Sequence, residues 1–163
     1  RRAIEMKPDD AMSYHNLGLI FERENNQREA EAHFRKAADL DARLTEPRLK
    51  LAELYGQQRK QDLQQGVLQE IIAGNPASPA GYEALGQLLA QNRQWPQAEQ
   101  VYTQMLANGV NPVAALTGLG DVHAGMGDWA QAAEDYRQAM GRTTDAALIR
   151  ELQNKMQTAE RRR

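Results

Sequence analysis

Three histidines, His15, His33 and His123, are the residues of this 163-residue chain best suited to bind a metal or relay a proton. None stands four residues from another, and none sits beside a carboxylate at the spacing of a metal-ligand motif. His123 therefore reads as a packed ring. Thr117-Gly118-Leu119-Gly120 has the glycine spacing of a phosphate loop, but its surroundings predict a helix with no strand before it, so the dinucleotide reading fails. G-x-S-x-G, a Walker-type lysine and H-E-x-x-H are all missing from the sequence. There is no cysteine, so disulfides and thiol chemistry are excluded, and the compartment stays open. Carboxylates are plentiful, yet no spacing puts a pair of them in one pocket. The sequence predicts no catalytic residue, no metal site and no cofactor, and the chain is expected not to be an enzyme.

What positions the side chains is a repeat. Residues 11–44 contain Tyr14-x₂-Leu17-Gly18-x₂-Phe21, then Ala30-x₃-Phe34 and Ala37. Steps of thirty-four residues lead from Gly18 to Ala52, Gly86 and Gly120. The second copy keeps Leu51, Ala52, Tyr55 and Pro76, and departs at Arg48, Gln64, Leu68 and Ile71. The third keeps Tyr82, Leu85, Gly86, Ala98 and Tyr102. The fourth keeps Leu119, Gly120, Ala132, Tyr136 and Ala139, with Leu116 and His123 in aromatic slots. A glycine inside a helix costs about 1 kcal/mol relative to alanine. Glycine at one repeat position in three copies therefore implies that the paired helix must come close, with Tyr14, Phe21, Phe34, Tyr55, Tyr82, Tyr102 and Tyr136 filling the space between neighbours. Trp95 and Trp129 share a repeat position and read as packing residues.

This pattern resembles the tetratricopeptide repeat, W-x₂-L-G-x₂-Y…A-x₃-F…P, over about four fifths of the chain. The resemblance implies an all-α fold, a right-handed superhelical solenoid of helix–turn–helix units whose members touch only their neighbours. The units are expected at residues 11–44, 45–78 (divergent), 79–112 and 113–146, with a capping helix at 147–163. Residues 1–10 read as the end of a truncated preceding repeat, because Ala3 precedes Ala37, and Pro8 precedes Pro76, by whole repeats. The chain is thus expected to be a fragment of a longer array. First helices are predicted over about 11–24, from about 45, over 79–91 and over 113–126. Second helices are predicted over about 28–40, 61–73, 95–108 and 129–140. Asp9 or Asp10 is the expected first N-cap, Gly66 is expected to interrupt its helix, and residues 108–112 are expected to form a loop. Arg161-Arg162-Arg163 is expected to complement the last helix dipole and stay solvated.

A net charge of −2 gives no electrostatic case for nucleic acid. No apolar run is long enough to insert directly in a membrane. No signal peptide is visible, and the location stays undecided between bacterial cytoplasm and periplasm. The resemblance implies a non-catalytic protein–protein interaction scaffold whose first helices line a concave, peptide-binding face. Carrying the family's groove positions onto this sequence gives Met12, His15, Asn16, Leu19, Glu22, Arg23, Glu46, Lys50, Glu53, Glu83, Gln87 and Asp121. The same positions include the small residues Ala114, Thr117 and Gly118 in the fourth unit. The clamp with which one branch of the family holds chaperone C-termini is replaced by His15, Leu19, Lys50, Ala80 and Ala84, so no such tail is expected to bind. The groove carboxylates favour a neutral or basic peptide over an acidic one. Alanine- and glutamine-rich arrays look like those of bacterial secretion, pilus or exopolysaccharide assemblies, by analogy. Two alternatives are a homo-oligomer formed through open solenoid ends and a regulatory module attached to an enzyme outside this sequence.

Overall fold

The computed structural model describes residues 10–162, and every regular element among them is an α-helix. These are α1 (Ala11–Arg23), α2 (Gln27–Leu40), α3 (Thr45–Gln57), α4 (Gln61–Gly74), α5 (Pro79–Gln91), α6 (Trp95–Ala107), α7 (Pro112–Met126), α8 (Trp129–Met140) and α9 (Ala146–Arg162). The expected truncated repeat, with Ala3, Pro8 and Asp9, lies outside the described residues apart from Asp10, as does Arg163.

Each first helix turns into its second by one recurring device. Asn25, Arg59, Arg93 and Gly127, thirty-four residues apart, all take the left-handed conformation, at φ 59°, 57°, 56° and 84°. The next amide then reaches back five residues: Asn26 to Phe21, Lys60 to Tyr55, Gln94 to Leu89 and Asp128 to His123, at 2.8–2.9 Å. This closes the helix end on itself and satisfies carbonyls that the helix leaves free. Asn26 and Asp128 then cap the second helix through their side chains, accepting from the amides of Glu29 and Gln131, whereas Lys60 and Gln94 offer no such bond. Asp10 caps α1, accepting from the amide of Ser13. Pro112, expected in a loop, is instead the first residue of α7. Asn111, at φ 38°, turns the chain and accepts from the amide of Ala114, and the fixed φ of proline suits the position after it.

The described residues fall into two compact units, one ending at Gly81 and one beginning at Tyr82. In the first, α1 packs on α2, α2 on α3, and α3 on α4. In the second, α6 packs on α7, α7 on α8, and α8 on α9. The repeat glycines are contact points: a Cβ on Gly18 would lie 2.5 Å from the Phe34 ring, and one on Gly120 would lie 2.5 Å from the Tyr136 ring. Where the aromatic is replaced by Leu68, the small residue is Ala52, and both are buried. The expected filling holds for Phe34, Tyr55, Tyr82, Tyr102 and Tyr136, all at most 5% exposed, while Tyr14 and Phe21 are only half-buried and flank the His33 ring.

Two features of the divergent hairpin correct the sequence reading. Gly66 does not interrupt α4, which runs unbroken, because burial of Val67, Leu68 and Ile71 outweighs the local cost of one glycine. Arg48, standing where the repeat has an aromatic, is 8% exposed. Its guanidinium donates to the carbonyls of Ala38 (2.7 Å), Asp41 and Ala42 (both 3.3 Å), closing the end of α2, and its Nε lies 3.6 Å from the Glu70 carboxylate. A charged side chain thus takes over a packing position by satisfying helix-terminal acceptors.

Candidate functional site

The second unit holds an open cleft of about 470 Å³. Its floor and walls come from α5 (Glu83, Gln87), α6 (Tyr102), α7 with its cap (Asn111, Val113, Ala114, Thr117, Gly118, Asp121) and the start of α9 with its approach (Thr143, Asp145, Leu148). The width has a local cause. Ala114 and Gly118 present almost no side chain, and a Cβ on Gly118 would lie 2.4 Å from the Tyr102 ring. A Cβ on Gly86 would also lie 2.4 Å from that ring. Tyr102 is therefore held between two glycines on two helices.

The lining is acidic, with Glu83, Asp121 and Asp145 and, among the described residues, no basic side chain. The three carboxylates are differently engaged. Asp121 accepts from the Tyr136 hydroxyl at 2.8 Å and pairs with Lys155 at 2.9 and 3.0 Å. Asp145 accepts from the amides of Ala147 and Leu148, serving the N-terminus of α9. Glu83 accepts only a neutral amide N–H of Asn111, at 3.3 Å. Burial, then Asp121 and Glu83, push the Tyr102 phenol up to about 12. Its proton therefore stays on at neutral pH.

The structure gathers three of the sequence-predicted groove residues here, Glu83, Gln87 and Asp121, together with the small residues of α7. Those of the first unit line no part of this cleft. Lys50 lies 2.8 Å from Glu53 and 3.6 Å from Glu22, and these contacts, the Glu53 hydrogen bond first, raise its pKa. Met12, Asn16, Arg23 and Glu46 are exposed and Leu19 is half-buried. His15 is 9% exposed, its ring tilted 5.7 Å from Phe34 and its Nδ1 without a hydrogen-bond partner among the described residues. Burial lowers its pKa, against the opposing influence of Glu46. It is packed within its hairpin and offers a partner little surface.

Sequence reading missed Tyr102, Asn111, Val113, Thr143, Asp145 and Leu148 as cleft residues. Tyr102 looks like every other aromatic of the repeat, and the last three precede or begin the terminal helix. Other candidates resolve as structural. His123 shares a 2.6 Å contact with buried Asp135 through Nδ1, and its Nε2 is 3.6 Å from Glu99. Among the described residues no group of three or more ligating side chains could hold a metal. Trp95 packs on Gly125, whose added Cβ would lie 2.5 Å from the indole. Arg162 is exposed, as expected, and also lies over the Trp129 ring at 5.0 Å, because α9 packs on α8.

Tetratricopeptide-repeat family models match residues 11–43 and 83–147, together more than half of the chain. No curated protein sequence matches it. Among solved structures the chain resembles YrrB, a tetratricopeptide-repeat protein with an unusual peptide-binding site (17% identity, 97% of this chain and 80% of that one, TM-score 0.66). It also resembles PilF of Pseudomonas aeruginosa (18%, 98% and 77%, 0.65) and PilW, a type IV pilus biogenesis factor (16%, 93% and 78%, 0.63). At these identities the likeness establishes a helical-repeat solenoid.

Proposed function

The chain belongs to the tetratricopeptide-repeat family, whose fold serves as a protein–protein interaction scaffold and is generally non-catalytic, and on that premise we propose that it binds a partner peptide or helix along the face formed by its first helices. The observation that carries this reading is the cleft of the second unit: two first helices, α5 and α7, form most of its lining, and α7 keeps its contribution small enough for a backbone to approach. The acidic lining favours a neutral or basic partner. YrrB, of the same fold, has a peptide-binding site, which supports a peptide as the ligand. The fold shared with PilF and PilW supports placing the interaction within a larger bacterial assembly.

A displayed library of random 12-residue peptides selected on the folded chain tests this. Selected peptides should lose binding when Ala114 or Thr117 is replaced by arginine, and keep it when Gln104, on the second helix α6, is replaced in the same way. Circular dichroism should show all three variants folded. Binding that ignores the first-helix substitutions would refute the reading.

A further inference from the structure

Four tyrosines of the repeat are buried, and three of them place their hydroxyl on a protein group. Tyr55 donates to Glu31 at 2.8 Å and accepts from the Arg35 guanidinium at 2.6 Å. Tyr82 accepts from the Asn108 amide at 2.8 Å, and Tyr136 donates to Asp121 at 2.8 Å. Tyr102 differs. It is 5% exposed, it lines the cleft, and its hydroxyl has no hydrogen-bond partner among the described residues. Gly86 and Gly118 clasp its ring, so the hydroxyl is fixed in place. Its oxygen is not among the buried atoms that lack a partner; it reaches the open cleft, where a ligand can meet it.

The first unit contains the arrangement that Tyr102 lacks. There a tyrosine hydroxyl stands between a carboxylate and an arginine, donating to the carboxylate and accepting from the arginine. In the cleft, Tyr102 has the carboxylates Glu83 and Asp121 near enough to act on its ionisation. Among the described residues no cation pairs with Glu83, and none with a basic side chain lines the cleft. We infer that the missing member comes from the partner: the cleft is a receptor for one arginine side chain, whose guanidinium donates to Glu83 and to the Tyr102 hydroxyl oxygen. A guanidinium suits this better than an ammonium, because its planar fork reaches two acceptors at once. Asp121, already neutralised by Lys155, supplies background field, and Asp145 closes the far side. The volume, about 470 Å³, holds a long side chain with its flanking backbone. This assignment rests on the proposal that a peptide lies along this face, and it specifies which side chain that peptide must contain.

The test uses N-acetyl-arginine-N-methylamide as probe, titrated to 20-fold over the chain and beyond at low salt (on the order of 10 mM, where exposed charges are least screened) and followed by amide NMR shifts. The matched citrulline and lysine compounds are run beside it. Shifts should centre on Asn111, Thr117 and Gly118, with the citrulline compound at least tenfold weaker and the lysine compound weaker than arginine. Glu83→Gln should lose about tenfold and Tyr102→Phe about threefold, each with an unchanged thermal midpoint. No shift in the cleft, or equal binding of citrulline or of lysine, overturns the assignment. The peptide library separates the two failures. Peptides selected on this face without enriched arginine sink the arginine receptor and leave the peptide face standing, whereas peptides insensitive to Ala114→Arg and Thr117→Arg sink the face itself.

Discussion

The two units use one hairpin and treat its polar groups differently. In the first, charge is settled internally: Tyr55 lies between Arg35 and Glu31, Lys50 between Glu53 and Glu22, and Arg48 on the end of α2. In the second, Tyr136 and Lys155 satisfy Asp121, but Tyr102 and Glu83 face an open cleft without a cation. The contrast teaches that binding capacity in a repeat array need not follow from the repeat positions themselves. It arises where one copy leaves unpaired what another copy pairs.

Substitutions can break this contrast. The largest effect belongs to Arg48. Its bonds to three carbonyls are charge-assisted, and Arg48→Ala should cost about 3 kcal/mol, given that a bond to a charged group contributes about 1.5–3 kcal/mol net and two of the three are long, at 3.3 Å. Tyr82 and Leu116, at the corresponding positions, carry no such cap, so urea unfolding should show a loss peculiar to the divergent hairpin. Next come the hydroxyls. Tyr55→Phe and Tyr136→Phe each remove bonds to charged groups and should cost about 1–2 kcal/mol. Tyr102→Phe removes no internal bond and should leave stability within about 0.5 kcal/mol of the parent. Equal losses at all three tyrosines would erase the distinction drawn between the units.

Glycines give a smaller, two-signed effect. Gly120→Ala drives a methyl into the Tyr136 ring and should destabilise by about 1–2 kcal/mol, overpacking being partly offset by the gain in helix propensity. Gly66→Ala meets nothing within 4 Å and should stabilise by up to about 1 kcal/mol. Thermal midpoints moving in the same direction would contradict this account of the two positions. The smallest effect is the pH dependence at His15. Burial depresses its folded pKa below 6.5, so the unfolded chain binds the proton more readily. The stability from neutral His15 is complete above the unfolded pKa and declines as pH falls through 6.5 toward the lower folded value. The urea midpoint should fall between pH 7 and 5, and His15→Gln should make that fall shallower.

Most of the fold was legible, for reasons visible in single residues. Gly18 and Gly120 announced close helix pairing, and the aromatic partner thirty-four-residue spacing demanded is the one each meets. Asn25 and Gly127 are ordinary left-handed turn residues. Arg59 and Arg93 adopt the same conformation with no such signal, since the hairpin geometry imposes it on whatever residue stands there. The site was legible in part. Glu83, Gln87 and Asp121, read as groove residues, line one cleft. His15 was read as a groove residue too, yet its ring lies against Phe34.

The sequence alone determined the periodicity, the helical hairpins and the identity of the small and large packing residues, because these depend on spacing along the chain. It could not determine which buried hydroxyl lacks a partner or which carboxylate lacks a cation. Those depend on what lies across the packed interface from each side chain: Tyr102 and Tyr136 hold the same repeat position, and only the tertiary structure places Asp121 against one hydroxyl and open cleft beside the other.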